Sequence, residues 1–189
     1  MEDHVVLDVE IQKCIGEDGL TWEDTDKVGV SVAVLYEFNT DRFRIYGPSD
    51  VKALQARLML ATKISGFNTW AFDFPVVWGY PRRQKVECLN HSSNDILRRI
   101  WIALGVDPDN FHPKTHGGWS LNNVVAGTLH KTISKIASGE QAPIWYQQGE
   151  IWKVINYCID DVALERDLAL FVDKHGYVVN GKTNKVLYL

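Results

Sequence analysis

Apolar residues alternate at the start of the chain: Val5, Leu7, Val9 and Ile11 fall on one face of an extended segment, and Val6, Asp8 and Glu10 on the other. That period of two predicts a strand over residues 4–11. Its continuous Val5-Val6-Leu7 run marks it as a central strand rather than a wet edge. Residues 28–36 form a second β-rich run. After Asn39-Thr40-Asp41, residues 42–46 alternate, so the two predict a hairpin ending at Gly47-Pro48.

Further along, the period lengthens. Ser49 is placed to cap a helix through about residue 62, with Val51, Leu54, Leu58 and Ala61 at helical spacing. Residues 63–67 read as a strand, and Asp73 as the cap of a short helix with Pro75 in its first turn. Residues 93–104 read as a helix stopped by Gly105 and Pro108, and 107–118 as a loop. Ser120 is expected to cap a short helix through Gly127. The longest helix is expected from about 150 to 174, with Ile151, Ile155, Cys158 and Val162 as its buried stripe and Gly176 at its end. Residues 177–181 and 185–189 predict a terminal hairpin. Strands first, then helices mixed with strands, indicate an α/β fold with a central mixed β-sheet flanked by helices. No repeat or low-complexity tract divides the chain, so residues 1–189 are read as one domain.

Composition narrows the function classes. With 20 basic and 24 acidic residues the net charge is -4, so affinity for nucleic acid cannot rest on overall charge. The local basic groups Arg82-Arg83-Gln84-Lys85 and Arg98-Arg99 are read as solvated faces, with binding as the alternative. Cys14, Cys88 and Cys158 are too dispersed for a disulfide framework or a zinc site and point to a reducing compartment. The N-terminal residues lack the basic region of a signal peptide, and no apolar run is long enough to span a bilayer. A soluble, cytoplasmic protein with no membrane partner is expected.

The chemistry lies in three acidic segments: Leu7-Asp8-Val9-Glu10, Asn68-Thr69-Trp70-Ala71-Phe72-Asp73 and Tyr157-Cys158-Ile159-Asp160-Asp161. Each sets a carboxylate in an apolar stretch, where an unpaired charge costs several kcal/mol. Divalent cations are natural partners, because magnesium favours oxygen ligands. Two residues of strand separate Asp8 and Glu10 by roughly 6.5 Å, so both can reach a pair of metals about 3.5–4 Å apart. Tyr157 and Asp161 share one helix face, while Asp160 is rotated away. Taken singly, Asp73 is more simply an N-cap and the Tyr157–Asp161 spacing is common; their order along the chain carries the weight.

These segments resemble the three motifs of the DEDD-type 3′–5′ exonucleases of the ribonuclease H-like superfamily. Asp8-Val9-Glu10 is similar to the first motif. Residues 66–75, with Asn68 ahead of Phe72-Asp73-Phe74-Pro75, are similar to the second. Tyr157 and Asp161 are similar to the tyrosine form of the third. The likeness is greatest to the proofreading domain of family-B DNA polymerases and small stand-alone relatives, and it extends to Ser120-Leu121-Asn122-Asn123-Val124 and to Ala142-Pro143-Ile144-Trp145. Asn122-Asn123 stands where the family more often has an acidic pair, and His130 where a glycine often follows the leucine.

The resemblance implies two magnesium or manganese ions: Asp8 bridging them, Glu10 and Asp161 completing one, and Asp73 holding the other through water. It implies hydrolysis of phosphodiester bonds at 3′ ends by a two-metal mechanism, with Tyr157 orienting the attacking water. Asn68 and the backbone near Ile11 would contact the terminal nucleotides, and Phe67 or Trp119 would stack on bases. The expected partner is single-stranded DNA, with a polymerase or other replication protein as a further partner. Two other readings are a non-catalytic nucleic-acid- or partner-binding module on the same fold and a structure-specific endonuclease. His112 and His116 are set aside as bases, because the histidine form of the third motif would need a histidine at the position of Asn156.

Overall fold

The computed structural model describes residues 2–109, 118–131 and 139–189. The first segment forms β1 (His4–Ile11), and after a short helix α1 (Thr25–Val28) the chain enters β2 (Val30–Glu37) and β3 (Arg42–Tyr46). The helix α2 (Val51–Leu60) leads to β4 (Lys63–Gly66), α3 (Asp73–Trp78), β5 (Ser93–Asp95) and α4 (Ile96–Ala103). Then come α5 (Leu121–Leu129), α6 (Gln141–Gln147), α7 (Ile151–His175), β6 (Tyr177–Val179) and β7 (Val186–Tyr188).

The main sheet has the order β3-β2-β1-β4-β5. β2 pairs antiparallel with both β1 and β3, whereas β1–β4 and β4–β5 are parallel. β1 is thus the central strand, as its apolar run required. The result is the mixed α/β architecture expected of a ribonuclease H-like chain. Val5, Leu7, Val9 and Ile11 pack on one side with Leu54 and Leu58 of α2 and Phe74 and Val77 of α3. On the opposite side Val6 joins Val32, Val34 and Tyr36 against Val154, Cys158 and Val162 of α7. A third cluster joins α4, α5 and the second half of α7 to the hairpin β6–β7.

Several boundaries differ from the sequence expectation. Residue 28 ends α1, and Gly29, at φ 67°, turns the chain before β2 begins. Ser49 does not cap α2; it lies in a 3-10 turn, and the Gly47 N–H donates to Asp50 Oδ2 at 3.0 Å. Ser120 occupies the N-cap position of α5 without a capping hydrogen bond. Residues 93–95, expected to open a helix, pair with β4 instead. The buried stripe of α7 runs through Val154 rather than Ile151, which is exposed. Arg82 is buried, contrary to a solvated basic face. No helix among the described residues is long and apolar enough to cross a membrane.

Candidate metal centre

β1 and β4 pair only as far as Val6 and Ser65. Asp8 and Glu10 follow that register, toward the carboxyl ends of the parallel strands, the end at which α/β sheets commonly bind ligands. Gly66 sits close against β1 at this end. A Cβ there would lie 2.8 Å from the Leu7 carbonyl and 2.3 Å from Thr69 Cγ2, so only glycine permits the approach.

Asp8 and Glu10 project from β1 on the α7 side, and the Asp8 and Glu10 carboxylates and the Cys158 sulfur lie within 4.8 Å of one another. Cys158 donates from α7 to Asp8 Oδ2 at 3.3 Å. Asp73 is the first residue of α3, not its cap; Phe72 holds the N-cap position. Its buried carboxylate accepts from the Val9 backbone N–H. Tyr157 hydrogen-bonds Asp161 one helical turn away. Asp160 is exposed, as expected for its side of the helix.

Electrostatics couple all four carboxylates. Burial pushes Asp8 up to about 7, with the Asp161 charge adding to the effect and the Cys158 thiol opposing it. Asp8 retains some accessible surface, yet protein atoms surround its carboxylate closely enough to strip much of its water. Burial also drives Glu10 well above the usual carboxylate range, helped by Asp8, Asp161 and Asp73. Asp73 rises for the same reason, with repulsion from Asp8 and Asp95 adding to it. Burial and the neighbouring acids raise Tyr157, so its phenol stays protonated.

Two buried acids were not singled out by sequence. Asp95, between β5 and α4, accepts backbone N–H bonds from Asn68 at 2.9 Å, Trp70 at 3.0 Å and Arg98 at 3.2 Å. It therefore ties the Asn68–Asp73 loop to a helix N-terminus, and Asn68 sits there at φ 75°. Glu165 is only 2% exposed, its Oε2 has no hydrogen-bond partner, and the acids that act on it are Asp8, Asp73, Asp161 and Asp95. Its position, one turn past Asp161 on the Tyr157 face, was the available signal.

Among the described residues, no lysine, arginine or histidine forms an ion pair with Asp8, Glu10, Asp73 or Glu165. Buried carboxylates gathered without a protein cation suit hard divalent ions. The Glu165 oxygen without a hydrogen-bond partner lies in the field of the same acids, which with burial drives its carboxyl to hold a proton.

The expected substrate contacts are less uniform. Ile11 lines a cleft of about 430 Å³ with Trp22, Pro143 and Ile144. Phe67 is half-buried against the α4–α5–α7 cluster. Trp119 is a core residue of that cluster, 4% exposed, and has no free face for a base. Arg98 covers the Trp70 ring at 4.2 Å and pairs with Asp109, so it is not a loose basic patch. His112 and His116 lie outside the described residues.

No protein-family model matches the chain, and no curated protein matches it. Solved structures do. The chain is similar to the family B DNA polymerase from the hyperthermophilic archaeon Pyrobaculum calidifontis, at 14% identity and a TM-score of 0.60. The match covers 91% of this chain and 24% of the polymerase chain. At that identity the likeness establishes the fold, and the chain corresponds in extent to about a quarter of the polymerase.

Proposed function

We propose that this chain is a metal-dependent 3′–5′ exonuclease that hydrolyses phosphodiester bonds at the 3′ ends of single-stranded DNA. The observation that carries the reading is that Asp8 and Glu10 of β1 gather with Cys158 within 4.8 Å of one another and act electrostatically with Asp73 of α3 and Asp161 of α7, while among the described residues no protein cation pairs with Asp8, Glu10 or Asp73. Asp8, Glu10, Asp73 and Asp161 would hold two magnesium or manganese ions. Bound there, such ions supply Lewis-acid activation of water and stabilise charge on the phosphate oxygens and the leaving 3′-oxygen.

The protein's own part is positioning. Tyr157, protonated and hydrogen-bonded to Asp161, offers a fixed phenol to orient the attacking water. Asp95 holds the Asn68 end of the loop that leads to Asp73, so Asn68 and the Ile11 backbone would bracket a terminal nucleotide. A frayed end suits this site, because a paired end must first be unstacked. Residues 1–189 would act as one domain, in a soluble cytoplasmic protein working beside a polymerase or other replication partner.

The test is digestion of 3′- and 5′-labelled single strands of DNA and RNA, and of circular single-stranded DNA, with and without manganese. The reading expects metal-dependent release of mononucleotides from the 3′ end and intact circles. Cleavage of circles would indicate an endonuclease, and no cleavage of any strand would indicate a binding module.

A further inference from the structure

We infer that the cleft between α6 and the first turns of α7 is a subsite for an upstream base of the strand whose 3′ end lies at the acidic centre; this rests on the nuclease reading. The cleft measures about 390 Å³ and is walled by Trp145, Trp152, Lys153, Asn156, Tyr157 and Asp160. That volume is within the range of small-ligand sites. One of its walls, Tyr157, also belongs to the candidate metal centre, so the cleft adjoins that centre. Trp145 extends that wall, meeting the Tyr157 ring edge-on with centroids 6.3 Å apart.

The chemistry of the walls selects the occupant. Trp152 is 63% exposed at the start of a long helix, a large apolar ring left in water. Indole faces bind nucleobases of any sequence by stacking. Lys153 Nζ lies 5.9 Å from the Trp145 ring centre and 5.6 Å from that of Trp152. It also pairs with Glu150, which fixes its direction. A cation beside two indoles matches a base with its phosphate. Asp160, on another wall, repels phosphate and thereby sets the backbone on the Lys153 side. Sequence-tolerant stacking is also what an enzyme needs if it shortens strands of arbitrary sequence.

The experiment compares two substrates with the full chain and manganese: an oligothymidylate decamer and the p-nitrophenyl ester of thymidine 5′-phosphate. The ester has a single nucleoside and cannot fill an upstream subsite. For Trp152→Ala, the ratio of kcat/KM for the decamer to that for the ester is expected to fall about 5- to 150-fold, the equivalent of one lost stacking contact. Trp152→Phe is expected to restore most of the ratio. An unchanged ratio, or equal losses on both substrates, would overturn the subsite while leaving the nuclease reading intact. Failure of the wild-type protein to hydrolyse either substrate would overturn both.

Discussion

The Cys158 thiol donates to the Asp8 carboxylate at 3.3 Å and lies close to the Asp8 carbonyl at 3.4 Å, linking α7 to β1 inside the acid cluster. This contact lowers the Asp8 pKa against the larger effect of burial. Cys158→Ala should remove it. Asp8 then holds its proton to higher pH, and the pH at which manganese begins to raise the melting temperature moves upward, while Cys158→Ser restores the wild-type threshold. Because Cys158 is fully buried, the alanine variant should also lose about 1–2 kcal/mol of stability, read from urea unfolding.

Asp8→Asn and Asp73→Asn should separate function from stability. Each removes one of a set of mutually repelling buried acids. The metal-free variants are expected to match or exceed wild-type stability, by up to about 2 kcal/mol, with nuclease activity abolished. The manganese-induced rise in melting temperature should shrink in both. A large loss of metal-free stability would mean that these carboxylates hold the fold together.

The raised pKa values fix the sign of a pH effect. Asp8, Glu10, Asp73 and Glu165 all bind protons more tightly in the folded chain than in the unfolded one. Their contribution to stability is fully present below the unfolded carboxylate pKa of about 4 and is lost as pH rises through the folded values. Metal-free protein should therefore lose stability between about pH 4 and the Asp8 value of about 7, by roughly 4 kcal/mol from Asp8 alone, with the other three acids adding to the loss. Saturating manganese should flatten that slope. Melting temperatures across this range with chelator and with manganese provide the check.

Asp95→Ala should be costly for a different reason. It strands three backbone N–H groups that Asp95 now satisfies. A loss of about 2–4 kcal/mol is expected, with Asp95→Asn milder, since its amide oxygen can still accept. Urea unfolding measures the loss. Hydrogen exchange should localise faster opening to residues 68–73.

Much of this arrangement was legible in the sequence because its signals are local. Alternation placed Asp8 and Glu10 on the face opposite Val5, Leu7 and Val9, and helical spacing put Tyr157 and Asp161 together. What escaped depends on tertiary partners. Ser93-Asn94-Asp95 looks like a helix start and is a strand only because β4 lies beside it. Helix α6 carries Pro143 near its start, a position that tolerates proline but also obscures the helix. Trp119 was expected at the substrate and is core, since one aromatic gives no sign of which face it meets. Glu165 reads as an ordinary surface acid until β4 is seen to pack against it, its Oε2 3.5 Å from where a Gly66 Cβ would stand.

The most direct test of the metal centre is anomalous diffraction from crystals soaked in manganese. The account predicts ion density between β1 and α7, in contact with Asp8 and bounded by Glu10, Asp73 and Asp161. Crystals that take up manganese elsewhere but show none beside Asp8, or in which these side chains point into separate regions, would contradict it.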